Sequence, residues 1–196
     1  MTLSELQEEV YAITNRPDLA SRTASAIRNA TLKLHNLDYF YKDLYENGVD
    51  LLAPAYLHEV DYRVIFPRFR ALKYIRKADS VTGEGLDFLE VIPPELVLDS
   101  YGLNRNDVCY VAGDMWQIRS STEFQYALVG VYLTPEITVA NYSSWIANDF
   151  PFCIVHEAAV KIMASISKLQ EVAYLTRELE EQKRQLIASN IQAVGS

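Results

Sequence analysis

The chain of 196 residues is poor in cysteine and histidine, short of positive charge, and empty of the short motifs that mark nucleotide binding or nucleophilic catalysis. Its two cysteines, Cys109 and Cys153, make no pattern and no CxxC, so free thiols in a reducing compartment are expected rather than a disulfide. No GxxxxGK or GxGxxG is present to cradle a phosphate, and no GxSxG places a serine on a strand-to-helix elbow. No run of about 18 apolar residues occurs, so no membrane-spanning helix is expected. The opening MTLSELQEEV is acidic and helical in pattern, unlike the basic-then-apolar start of a signal peptide. Lys and Arg number 18 against 26 Asp and Glu, a net charge of −8. That balance argues against broad coating of duplex DNA, which needs a basic footprint, but is compatible with a protein that lets DNA pass without sticking.

Histidine is nearly absent too, with three residues, and the one that invites a metal reading is His156 in FPFCIVHEAAVKIMASISK. A zincin helix places two histidines four residues apart, so that both imidazoles reach one metal, with a glutamate between them as base. Here Glu157 follows His156, but the position four residues on is Val160, and His35 and His58 stand in no ligand spacing. The segment reads better as an amphipathic helix: Val155, Ala159, Ile162, Ile166 and Leu169 recur at steps of four and three, with His156 beside the stripe. Pro151 suits its first turn, with Asn148 or Asp149 as the cap. Glu59 and Asp61 alternate around Val60 and share a strand face, which fits a solvated face better than an acid–base pair. No catalytic, metal or cofactor-binding residue is therefore assigned.

What the chain does have is core. Hydrophobic residues make up 49%, enough for a chain of this length to fold without metal or disulfide support. Thirteen tyrosines suit both β structure and interfaces. Residues 2–14 predict a helix capped by Thr2 or Ser4 and ended by Asn15–Pro17. Residues 18–34 predict a second, with a small-residue seam of Ala20, Ala24, Ile27, Thr31 and Leu34. An aromatic cluster, Tyr39, Phe40, Tyr41 and Tyr45, runs into Asn47–Gly48, a turn signal. From Val49 to Pro135 the pattern is β-rich. Two strands are expected around Pro67, another in LDFLEVI, a short helix in PPELVLDSYG, a hairpin turning at Gly113–Asp114, and a long strand in FQYALVGVYLTP. The C-terminal third predicts two helices separated near Ser165–Gln170. The second carries Val172, Leu175, Leu179 and Leu186, with Glu180 and Arg184 as a favourable pair.

The expected architecture is α+β: a helical bundle from the N- and C-terminal helices with an inserted antiparallel β-rich lobe. The expected divisions are 1–48, 49–139 and 140–189, then an extended or flexible tail at 190–196. One stretch, DYRVIFPRFRALKYIRK, interleaves Arg63, Arg68, Arg70, Lys73, Arg76 and Lys77 with Tyr62, Phe66, Phe69 and Tyr74. It reads as a sheet with one charged face, as a protein interface anchored by Tyr62, Arg68, Arg70, Tyr74 and Arg76, or as a surface at 62–77 for single-stranded nucleic acid.

Three passages, in order, resemble the head-to-tail adaptor (connector) proteins of tailed bacteriophages. VYAITNRPDLASRTASAIRNATLKLHNLDYFYKDL resembles their opening helix pair. CYVAGDMWQIRSS with QYALVGVYLTPEI resembles their hairpin and Pro-terminated strand. SSWIANDFPFCIVHEAAVKIMASISKLQEVAYLTRELEEQKRQLIASNI resembles their closing helices. The resemblance implies a non-catalytic virion protein, assembled in the bacterial host cytoplasm, that forms a ring with itself, usually of about twelve subunits. It implies the portal protein and a tail or nozzle protein as partners, with genomic DNA passing through the channel without specific binding. It also implies a portal contact by the C-terminal segment, for which Ile187, Ile191 and Val194 are the candidates.

Overall fold

The structure is a computed structural model and describes residues 1–79, 82, 84–138 and 140–194, with side chains described as far as Asn190. The chain is α+β, with a curled, mixed, seven-stranded sheet and six α-helices among the described residues. It divides into two compact units, Met1–Asp43 with Thr134–Ser196, and Leu44–Leu133. None of the described helices is long and apolar enough to cross a membrane.

In the first unit, α1 (Leu3–Thr14) begins with a capping box. The Glu5 amide donates to Thr2 Oγ1 at 3.3 Å and the Thr2 amide donates to Glu5 Oε2 at 2.7 Å, satisfying two donors that the helix leaves free. It ends at Asn15, whose left-handed φ of 52° turns the chain before Pro17. Helix α2 (Ala20–His35) buries Thr23, Ala26, Ile27, Ala30, Thr31 and Leu34, one helical stripe shifted from the expected seam, so that Ala20 is exposed. The two-residue strands β8 (Glu136–Ile137) and β9 (Tyr142–Ser143) pair with each other. Helix α4 (Trp145–Asp149), capped by Ser144, leads into α5 (Pro151–Ser165). Asp149 is thus the last residue of α4, paired with Lys42, rather than the cap of α5. The axis of this unit is α5, whose Ile154, Val155, Ala158, Ala159 and Ile162 are buried against α1, α2 and α6 (Leu169–Val194). The break between α5 and α6 falls at Ser167, with φ of 60°. Residues 190–194 continue α6, so the expected extended tail is helical through Val194.

The second unit is the sheet. Its strands are β1 (Leu44–Ala53), β2 (His58–Asp61), β3 (Phe69–Ala78), β4 (Gly85–Val91), β5 (Val108–Ala112), β6 (Met115–Arg119) and β7 (Phe124–Leu133), in the order β1-β7-β3-β4-β5-β6-β2. All pairs are antiparallel except β4 with β5, which run parallel through Glu90↔Val108 and Val91↔Cys109. The connection 92–107 returns the chain to the same end of the sheet, which a hairpin turn cannot do. The helical bundle with an inserted antiparallel lobe is therefore corrected on two counts. The sheet is mixed, and its strands build a core of their own rather than a lobe carried by a bundle. That core holds Trp116, fully buried among Tyr62, Phe66 and Phe69 at ring distances of 5.8 Å each, with Ile75, Leu89, Val129 and Val131.

Three local expectations also change. Asn47–Gly48 lies inside β1, because Gly48 leaves room for the Tyr126 ring instead of making a turn. Tyr62–Ile65 form a short helix, α3, capped by Asp61, in place of the first strand expected before Pro67. Within PPELVLDSYG only Pro94–Leu96 are helical, as a single 3-10 turn.

Candidate interaction surface

On β3, Ile75 faces the core, and the alternation of a strand sends Tyr74 and Arg76 to the other face. Gly130 of β7 lies opposite Tyr74, and a Cβ there would stand 2.5 Å from the tyrosine ring, so only glycine lets the ring lie down on the sheet. The Tyr74 hydroxyl crosses β7 to donate to Glu46 of β1. Burial, the bond to Glu46 and that residue's negative charge push the phenol up to about 12, so it stays protonated. Arg76 lies over Phe88 of β4, 5.0 Å from the ring centre, and donates to the carbonyls of Leu86 and Gly85 at 3.2 Å each. Phe88 meets Tyr74 edge to face at 5.8 Å. Phe88 is 57% and Leu86 58% exposed, so this face ends in apolar surface beside a guanidinium. Arg70 covers Tyr132 at 5.8 Å, and Lys73 is exposed where β3 bulges between Leu72 and Tyr74.

Of the five residues expected at an interface, Tyr74 and Arg76 come together here, Arg70 sits over Tyr132, and Arg68 is exposed just after Pro67. Tyr62 does not belong with them. It is buried in the Trp116 cluster and donates its hydroxyl to the Gly113 carbonyl at 2.9 Å. The contribution of Leu86 and Phe88 was open to reading from their spacing of two on either side of Asp87. Nothing local signalled Glu46, which reaches Tyr74 across an intervening strand.

A second exposed feature is the connection 92–107. Leu96, Leu98, Tyr101 and Leu103 are half or more exposed, Tyr101 most of all at 87%. The loop is nevertheless ordered by its own bonds. Asp99 accepts from the amides of Tyr101 and Leu103 at 2.9 and 2.8 Å, Gly102 takes a φ of 75°, and Arg105 reaches Glu90 at 2.5 Å. Its end is pinned by Asp107, which accepts from Lys77 Nζ at 2.7 Å, from the Ser121 amide at 3.1 Å and from the Ser121 hydroxyl at 2.7 Å. Burial raises the Asp107 pKa, but the bonds from Lys77 and Ser121 outweigh it and hold the carboxyl at about 2.

A second polar network lies in the first unit, and no local pattern points to it. His35 Nδ1 meets the Asp43 carboxylate at 2.8 and 3.0 Å, His35 Nε2 meets Ser144 Oγ at 2.9 Å, and Trp145 Nε1 donates to Asp43 at 2.8 Å. A carboxylate only accepts, so Nδ1 carries a proton and Nε2 is left to accept from the Ser144 hydroxyl. The order Asp–His–Ser matches the bonding of an acyl-transfer triad. Its setting is different: His35, Asp43 and Ser144 are all buried, and the Ser144 oxygen also accepts from the Ala147 amide as the cap of α4. The network braces α2, the turn at 41–43 and α4 against one another.

His156 and Glu157 are likewise structural in their contacts. Glu157 is engaged by Lys33 of α2 and by Lys183 of α6 at 3.2 Å, joining three helices. Burial works to raise its pKa, but the two ammonium groups hold it below the ordinary value. Burial pushes His156 down, toward neutral imidazole. Glu59 and Asp61 are exposed, the first accepting from Gln117 at 2.8 Å and the second capping α3.

At the C-terminus, Ile187 is half-buried, and the side chains of Ile191 and Val194 lie outside the described residues. Asn190 is buried and clasped: it accepts from the Tyr41 amide at 2.9 Å and donates to Asp38 at 3.0 Å. No protein-family model matches the chain, and no curated protein matches its sequence.

Proposed function

We propose that this chain is a non-catalytic structural subunit of a phage head-to-tail connector ring, joining the portal to the tail and extending the DNA channel. The observation that carries the reading is the ordered apolar loop 92–107. A loop held by Asp99, Arg105 and Asp107 that still turns Leu96, Leu98, Tyr101 and Leu103 to water is pre-organised for a protein partner. Two further facts support it. The residues that resemble catalytic groups are occupied in packing, and a net charge of −8 suits a channel that must repel DNA in passage. The order of the three connector-like passages supplies the choice of assembly. In this reading the end of α6, with Ile187, Ile191 and Val194, contacts the portal.

Mass measurement in solution, with the protein alone and mixed with a portal ring, tests the proposal. A closed ring or a stoichiometric portal complex is expected. A protein that stays monomeric at all concentrations and leaves the portal unbound refutes it.

A further inference from the structure

We infer that the outer face of β3 and β4, centred on Tyr74, Arg76 and Phe88 with Leu86 and Lys73 beside them, docks on helix α1 of a second copy of this chain. The inference rests on the ring reading above and names the surfaces that would meet. The chain has 18 basic and 26 acidic residues, yet residues 68–78 hold Arg68, Arg70, Lys73, Arg76 and Lys77 and no acid. Lys77 is consumed by Asp107 inside the unit. The exposed Lys73 and the guanidinium of Arg76 stand on this face.

Helix α1 is its counterpart. It carries Glu5, Glu8 and Glu9 and no basic residue. Its exposed stripe is Ser4, Glu5, Glu8 and Ala12, at helical spacing, with small residues on either side of the carboxylates. Such a stripe admits close approach by Leu86 and Phe88 while setting Glu8 against Lys73 and Arg76. Glu5 is already held by the Thr2 amide, so Glu8 is the main acceptor. The two patches differ, and a contact between unlike patches repeats around a closed ring or along a filament. Arg and aromatic residues at the centre of such a contact are the types that carry most binding energy.

Single-stranded nucleic acid is the competing occupant. It offers phosphates for the cations but no apolar partner for Leu86, and the Phe88 ring already carries Arg76. The overall charge of −8 further disfavours a phosphate backbone.

Charge reversal on the full chain tests the pairing. The variant Lys73→Glu/Arg76→Glu should weaken self-assembly about tenfold or more, and Glu8→Lys should do the same alone. Combining them should bring assembly back to near wild-type strength. Lys73→Glu alone, at an exposed position, keeps the fold and should weaken assembly about threefold, so a misfolded double variant does not decide the matter. If wild-type protein never assembles, the ring reading falls and this inference with it. If it assembles and the reversals neither weaken nor rescue it, only this inference falls. Loss of oligonucleotide binding in Lys73→Glu/Arg76→Glu with assembly intact would overturn it in favour of the nucleic-acid surface.

Discussion

Replacing Asp43 by alanine removes the acceptor of two donors, the buried His35 Nδ1 and the part-buried Trp145 Nε1, each 2.8 Å from the carboxylate. His35 is almost fully buried and the network lies inside the helical unit, so water does not readily substitute. Leaving a buried donor unsatisfied costs roughly 1–3 kcal/mol, and two donors lose their acceptor here. We expect a loss of about 3–5 kcal/mol. For a chain of this length each kcal/mol moves the midpoint by about 2–4 °C, so the melt should fall by roughly 6–20 °C. Asp43→Asn keeps the volume and one acceptor oxygen and should lose visibly less. The chain's two tryptophans, Trp116 and Trp145, stand one in each unit, so 5-fluorotryptophan labelling yields one fluorine resonance per unit. The Trp145 resonance should shift in the folded variant and collapse early on heating, while the folded Trp116 resonance should keep its position. A loss under about 1 kcal/mol would falsify the claim that this network braces the unit.

Three further outcomes are expected. Asp107 has a folded pKa of about 2, below its unfolded value near 4, so its contribution is present above about pH 4 and lost as pH falls toward 2. Its side chain is 40% exposed, so the contribution is discounted to about 1 kcal/mol, and Asp107→Asn should show a correspondingly flatter acid-unfolding profile by urea titration. Burial pushes the Cys109 thiol up to about 12 and the Cys153 thiol to about 11, so neither should react with a disulfide reagent at pH 8 until denaturant is added; rapid labelling of the native protein contradicts the burial. Deleting residues 187–196 removes the Asn190 clasp on Tyr41 and Asp38 and should destabilise the fold by about 1–3 kcal/mol, as should Asn190→Ala, read as a lower melting point; an unchanged melt would show the end of α6 to be dispensable to the fold.

The sequence by itself determined what local chemistry controls. Thr2 with Glu5 three residues later announced the start of α1, and Pro151 announced that of α5. The strand–Gly113–strand pattern announced the β5–β6 hairpin, and Val160 in place of a second histidine removed the zincin reading. These signals are local because helix caps, tight turns and side-chain periodicity are satisfied within a few residues. Only the tertiary structure decided which strands are neighbours. Periodicity says that LDFLEVI is a strand, but it does not say that β4 lies parallel to β5, since the 92–107 return depends on packing far along the chain. The same holds for Asn47–Gly48, a turn by local preference, which stays extended because the Tyr126 ring occupies the space a side chain would need. Tyr62, a surface anchor by its neighbours, is drawn into the core by Trp116. His35, Asp43 and Ser144 stand 8 and 109 positions from one another along their bonds. No local pattern relates them. They meet because α2, the turn at 41–43 and α4 bury their apolar sides together, and buried polar groups must then find partners in one another.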